Sequence, residues 1–282
     1  MEESSNRANK SSAHMQSCRE RFFPGGVSEH YRLRGPDGPL VVRAARGGCI
    51  TLDHDGAEYV DFRMGYGPTI LGYRDTRVDG AVMQGILGGD SAAGGTGVGS
   101  ALTGIGSDLE VQVAELICKL CPHIERIRFA NSGTEAVMGA IRTARGATGR
   151  WKIAILEGCY HGLNDEVMWR YDGTSHGSGV APNSKLQLEN LPFNDLRALE
   201  SLFKTTGSEL ACVLVEPIMG NSGSLSPKLE WLQRLRELCT EHGVCLVFDE
   251  VKTGFRVHKG GAQALFGIIA DLTTYAKSIA NG

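Results

Sequence analysis

The chain has 282 residues, 41% hydrophobic and 22% charged, with a formal net charge of −3, an ordinary globular composition with enough chain for one large domain or two small ones. No long basic or acidic block stands behind that charge, so neither nucleic acid nor an anionic membrane surface is expected as a partner. No apolar stretch approaches the roughly 20 residues of a membrane helix, and the polar opening Met1–Lys10 lacks the apolar core of a secretory signal, so a cytoplasmic location is expected.

Residues 1–21 are polar and rich in Ser and Asn, which predicts a disordered or weakly held tail. In the N-terminal segment 22–75, the β-like runs Leu40–Arg43, Cys49–Leu52 and Glu58–Phe62 are separated by Gly47-Gly48 and by Asp53-His-Asp-Gly56. Such turn signals between short apolar runs predict a small antiparallel meander. A glycine-rich run between Gly88 and Gly106 reads as a flexible loop. Within it, Gly95-Thr-Gly-Val-Gly99 superficially matches a dinucleotide fingerprint, but no strand precedes it and its third glycine is misplaced.

From about Asp108 helices alternate with short apolar runs. A helix over 108–120 would carry Leu109, Val113, Leu116, Ile117 and Leu120 on one face. Strands are predicted at Ile127–Ala130, Lys152–Leu156, Ala211–Val215 and Val244–Phe248. Between the last two, Pro227 starts a helix with Leu229, Leu232, Leu235 and Leu238 facing the core, and Gly243 ends it. This alternation argues for an α/β fold with a mostly parallel sheet covered on both faces. Ligands of such sheets sit beyond the carboxyl ends of the strands. The eight cysteines are scattered and several lie in apolar runs, so they read as small buried hydrophobes of a reducing compartment. Cys118 and Cys121 have metal-pair spacing, but no second pair completes a site, and no metal is expected.

Four segments fall at the predicted strand ends. Asn131-Ser-Gly-Thr-Glu135 leads into a helix with Val137, Ala140, Ile141 and Ala144 along one side. Ser132 or Thr134 can cap that helix, and the same geometry can present amide groups to an anion, with Gly133 permitting close approach. Glu157-Gly-Cys-Tyr160-His161-Gly162 is a tight turn with two rings; one can stack on a flat ligand, or the pair can simply anchor the turn. Asp249, ending a strand before Glu250 and Val251, needs a cationic partner. A protonated ring nitrogen would serve, as would a salt bridge to Arg256 or a helix cap. Glu216, ahead of Pro217 and Asn221, reads equally as structural or catalytic, and Asn221 could hydrogen-bond a phenolic oxygen. Lys277 is an ordinary surface lysine when read alone. Next to an anion cradle, a stacking ring and a carboxylate for a ring nitrogen, it completes what pyridoxal phosphate requires.

Asn131–Ala136, Glu157–Gly162, Glu216-Pro217, Asp249–Arg256 and Asp271–Lys277 resemble the class III pyridoxal-phosphate-dependent aminotransferases of fold type I. Phe23–Gly26, Gly67–Gly72 and Cys159 resemble the glutamate-1-semialdehyde 2,1-aminomutase branch. The similarity runs in unbroken order from about Phe22 to Gly282. It implies a large domain with a mostly parallel sheet over 76–282 and the N-terminal part of a small α+β domain before it. Pyridoxal 5′-phosphate would be the cofactor, small-molecule amino donors and carbonyl acceptors the partners, and a homodimer the family form. Residue by residue, it makes Lys277 the Schiff-base lysine and Asp249 the partner of the pyridine nitrogen. Gly133 and Thr134 become phosphate contacts, with Ser132 secondary; Tyr160 and Val251 cover the two ring faces, and Asn221 lies near the ring oxygen.

Members of the family continue after this lysine with another sheet strand and a small C-terminal domain. The resemblance therefore implies that the large domain is incomplete at its C-terminal end, without a partner-supplied phosphate contact, and of weak activity in isolation. The expected activity is transfer of an amino group from an amino acid or amine to a carbonyl compound. The alternatives are an intramolecular amino shift and an inactive paralogue that serves as an interaction partner. The Gly/Ser-rich stretch 164–184 is the expected gate.

Overall fold

The computed structural model describes residues 11–28, 40–87 and 106–279. They form two compact units, residues 11–28 with 40–87 and residues 106–279. The Gly95–Gly99 run lies outside the described residues.

In the first unit, α1 (Ser12–Phe22) occupies most of the described part of the predicted tail. The Ser11 side chain caps it by accepting from His14 N, and no residue of the helix is buried. A serine-rich segment supplies helix caps as readily as it supplies disorder. The meander is antiparallel, in the order β1 (Val42–Gly47), β2 (Ile50–Asp53), β3 (Glu58–Val60). Its Asp-His-Asp-Gly turn closes on Asp53, whose Oδ1 accepts from Asp55 N and Ala57 N, each at 2.9 Å. Helix α2 (Thr76–Leu87) belongs to this unit.

The second unit opens with α3 (Asp108–Leu120), started by a capping box between Ser107 and Glu110. Only Ile117 is buried along it, and Leu109 and Leu116 are 59% and 54% exposed. The predicted apolar face is thus mostly uncovered within this unit: an apolar stripe is buried only where a neighbouring element meets it. The run 127–130 forms no strand either. A strand exists only where a neighbour takes its N–H and C=O groups, and none of the described strands pairs with it.

The centre of the unit is a five-stranded parallel sheet in the order β5 (Leu188–Leu191), β4 (Lys152–Leu156), β6 (Leu210–Val215), β7 (Cys245–Asp249), β8 (Leu272–Thr274). All six residues of β6 are buried, as expected of a central strand covered on both sides. The period of two along each strand divides the core. Ala154, Leu156, Val213, Val215, Leu246 and Phe248 join Leu199 and Phe203 of α5 (Leu196–Thr206) and Trp231, Leu232, Leu235 and Leu238 of α6 (Leu229–His242). Ile153, Ile155, Cys212, Leu214 and Val247 face the opposite way, onto Val137, Ala140, Ile141 and Ala144 of α4 (Gly133–Thr148). Leu229, predicted to face the core, is 48% exposed, and Trp231 is buried in the first turn of α6.

The strand order places the site. From β4 the chain moves outward to β5, whereas from β6 it proceeds in the opposite direction to β7 and β8. The carboxyl ends of β4 and β6 therefore flank the point where the connections diverge, which is where ligands bind in open parallel sheets.

Candidate active site

Four strands and one helix deliver the predicted residues to this edge. The segment 157–162 follows β4, Glu216 follows β6, Asp249 ends β7, and Lys277 lies three residues beyond β8. Helix α4 begins at Gly133, with Ser132 as its N-cap.

The start of α4 supplies amide groups. Ser132 Oγ accepts from Glu135 N at 3.2 Å, and Ala136 N donates to Ser132 O at 3.0 Å. A helix has no internal acceptors for its first N–H groups, so those of Gly133 and Thr134 remain available at the positive end of the helix dipole. Neighbouring segments crowd this turn. A Cβ at Gly133 would stand 3.1 and 3.2 Å from the two methyl carbons of Val251 and 3.6 Å from Ala276 Cβ. One at Gly162, where φ is +100°, would lie 2.5 Å from Thr134 Oγ1. Glycine at both positions brings the start of α4 against Val251, Ala276 and the turn after β4.

Asp249 is 3% exposed. Its Oδ1 accepts from Val251 N at 3.0 Å and from Thr274 Oγ1 at 3.1 Å, while His161 Nδ1 lies 2.7 Å from Oδ2. The partner of Asp249 is thus His161 and not Arg256, whose Nε donates to Lys252 O. An ionised carboxylate offers about four lone-pair positions. Three are engaged here, and the remaining one suits a charged ring N–H. Burial alone would lower the pKa of His161, but the hydrogen bond to Asp249, reinforced by Cys159 and by the Asp249 charge, raises it to about 10.

Glu216 is 2% exposed and fully engaged. Oε1 accepts from Tyr160 N at 2.7 Å, and Oε2 takes Gly220 N at 3.1 Å and Lys252 Nζ at 2.8 Å. It fastens the turns after β4 and β6 to the segment after β7, a structural assignment between the two readings its sequence left open. Tyr160 is 41% exposed, with Lys252 Nζ 5.9 Å from its ring centroid. Asn221 is exposed in the turn after β6, and its neighbour Ser222 Oγ donates to Gly158 O.

Lys277 is half-buried, with φ +43°, a left-handed conformation uncommon for a side-chain-bearing residue and frequent at functional positions. Burial, then the charges of Lys252 and Arg256, lower its pKa against the opposing influence of Glu216 and Asp249. Its amine is therefore biased towards the neutral, nucleophilic form.

Thr274 and Lys252 belong to this constellation and were not legible beforehand. Thr274 reaches Asp249 because Asp249 and Thr274 are register partners of β7 and β8, a relation that appears only once the strands pair. Lys252 is one of many lysines until Glu216 holds it. Residues 164–184 are laced to one another, Ala181 N donating to Asp165 Oδ2 at 3.0 Å and Trp169 Nε1 to Ser184 Oγ at 2.7 Å, and to α4, where Arg145 pairs with Glu166 at 2.6 Å. A cavity of about 540 Å³ lies instead against α4, lined by Met138, Arg142, Arg145, Trp151 and Glu166 among others, and includes none of the candidate residues. No cluster of metal-binding side chains occurs among the described residues, and none of their helices is long and apolar enough to cross a membrane.

The family defined as aminotransferase class-III matches residues 34–282. The chain belongs to the class III aminotransferase family. It is 41% identical over 276 residues to a glutamate-1-semialdehyde 2,1-aminomutase of Persephonella marina, covering 93% of this chain and 60% of that protein. The chain thus spans about 60% of the length of the curated relatives it matches. Among solved structures, an omega-transaminase from Sphaerobacter thermophilus superposes with a TM-score of 0.84 at 33% identity, over 96% of this chain and 61% of that one. A transaminase with PLP bound gives 0.84 at 34% identity, over 96% and 62%. The fold is that of the fold type I transaminases and aminomutases, and pyridoxal 5′-phosphate is the cofactor to which the class III family points.

Proposed function

We propose that the chain binds pyridoxal phosphate and serves transfer of an amino group between a small amino acid or amine and a carbonyl compound. The observation that carries this reading is the convergence, at one edge of the parallel sheet, of a lysine biased towards its neutral form, a buried carboxylate with one acceptor position left, and the open first turn of α4. Gly133 and Thr134 would take the phosphate on their amides, with Ser132 committed to the cap. Tyr160 and Val251 would cover the ring faces, and Asn221 would approach the ring oxygen. Asp249 would accept the ring N–H and keep that nitrogen charged.

Bound there, the cofactor supplies an electron-withdrawing ring that stabilises negative charge on the substrate carbon. Lys277 would secure the cofactor at rest through Nζ. Released by the substrate amine, the same Nζ would carry the proton removed from the substrate carbon. Its lowered pKa favours both tasks. A homodimer in the cytoplasm is the setting that the resemblance supports.

The likeness to a glutamate-1-semialdehyde 2,1-aminomutase supports a second reading, an intramolecular amino shift using the same residues. An acceptor screen separates them. A transferase loses amine from the donor in proportion to the keto or aldehyde acceptor added; a mutase yields an isomer of its substrate and passes nothing to the added acceptor. Absence of both products with pyridoxal phosphate supplied would contradict the reading.

A further inference from the structure

The cavity of about 540 Å³ against α4 has the size of a small-ligand site, and its walls are held in place. Arg145 is committed to them: Nη1 donates to Glu166 Oε1 at 2.6 Å, Nη2 to Gln187 Oε1 at 2.8 Å and Nε to Trp151 O at 3.0 Å. Asn164 Nδ2 donates to the other Glu166 oxygen at 3.0 Å, so the Glu166 charge is matched within the wall. Two donors of the lining are left over. The Arg142 guanidinium and the Trp151 indole N–H have no hydrogen-bond or ion-pair partner among the described residues, and Trp151 is 70% exposed, although tryptophan is highly buried on average. A Cβ at Gly146 or Gly149 would meet nothing within 4 Å. No neighbour therefore demands glycine at 146, where it weakens the helix; its missing side chain keeps room open over the helix backbone.

We propose that this cavity is a second binding site, for a small aromatic carboxylate whose flat ring stacks on Trp151 and whose anion pairs with Arg142. The charge of the lining selects the ligand. With Arg145 matched by Glu166, one guanidinium remains, and its planar fork suits a carboxylate through two parallel hydrogen bonds. A doubly charged phosphate would face Glu166 without a second free cation. Trp151 and Met138, which is 37% exposed, supply apolar surface, and an indole face takes a flat ring in offset stacking. From Gly133 to Gly146 the helix runs about 20 Å, at about 1.5 Å per residue, so this site stands apart from the carboxyl edge of the sheet and does not rest on the pyridoxal-phosphate reading.

Calorimetric titration of the 282-residue chain with 2-naphthoate and with its uncharged counterpart 2-naphthamide tests this. The wild type should bind naphthoate saturably and more tightly than the amide. Arg142→Gln should weaken naphthoate by about tenfold to hundredfold, the scale of a hydrogen bond to a charged group, and leave the amide unchanged. Trp151→Ala should weaken both by about tenfold, and Gly146→Leu, which fills the open floor, should abolish both. All three positions are exposed, so the variants should unfold in urea as the wild type does; should one fail to fold, the other two carry the same test. Naphthoate that does not bind, binds no better than the amide, or binds Arg142→Gln and Trp151→Ala as it binds the wild type overturns the proposal. Self-association of the chain that is lost in Trp151→Ala, with no naphthoate bound, would assign this face to a second copy and overturn it as well.

Discussion

The Asp249 carboxylate stands between His161 Nδ1, 2.7 Å from Oδ2, and two donors on Oδ1. Three hydrogen bonds around one buried acid set its direction at the carboxyl edge of the sheet. Replacing it with asparagine removes the charge while nearly preserving the shape. Asp249→Asn should retain measurable cofactor binding through the α4 amides and Lys277, and lose turnover on the order of hundredfold to thousandfold, the scale seen when one preorganised electrostatic contact is removed. Full activity in this variant, measured as kcat with saturating cofactor, would rule out its assignment to the ring nitrogen.

Glu216 holds three segments by three hydrogen bonds, one of them to the Lys252 ammonium. Its removal strands a cation and two amides. Glu216→Ala should cost about 3 kcal/mol of stability, as expected when one partner of a buried pair is deleted, in urea unfolding at neutral pH. A change within ±0.5 kcal/mol, the range of ordinary surface substitutions, would return Glu216 to a purely chemical role.

Gly162 touches the helix that presents the amides. Its φ of +100° disfavours any side chain, and an added methyl would stand 2.9 Å from Thr134 Cα. Gly162→Ala should destabilise the fold by about 2 kcal/mol and weaken inorganic phosphate binding, because relief requires the first turn of α4 to move. Unaltered thermal unfolding together with unaltered phosphate affinity would show that this contact has slack.

The His161–Asp249 pair has a pH signature. The folded-state pKa of His161, about 10, lies above its ordinary 6.5. A raised pKa stabilises the fold fully below pH 6.5, and that contribution is lost as pH rises towards 10. The groups facing the ring are Asp249 and Cys159. Wild-type stability should therefore decline more steeply than that of His161→Asn between pH 6.5 and 9.5, in parallel urea titrations. Parallel curves would place the imidazole in its neutral form throughout.

Local order was the legible part of the sequence. The buried face of α4, Val137, Ala140, Ile141 and Ala144, follows from spacing alone, and so does the hydrophobic composition of β6. What failed depended on partners. Ile127–Ala130 has the residues of a strand but no described neighbour to pair with, and Leu109 and Leu116 have the spacing of a core face but nothing within their unit to cover them. Within the site, a turn glycine and a strand end marked Gly133 and Asp249, whereas Lys277 stood out only beside them. The choice of His161 over Arg256 as the partner of Asp249, and the addition of Thr274, were set by strand order and register, which no single segment encodes.

The central claim is that Lys277 carries the cofactor, and chemical trapping tests it directly. The 282-residue chain is incubated with pyridoxal phosphate, reduced with borohydride, digested and mapped. One equivalent of label on Lys277, with exposed lysines such as Lys119 and Lys204 unlabelled, is the predicted result. Label spread over surface lysines, or no label on Lys277, would contradict the account.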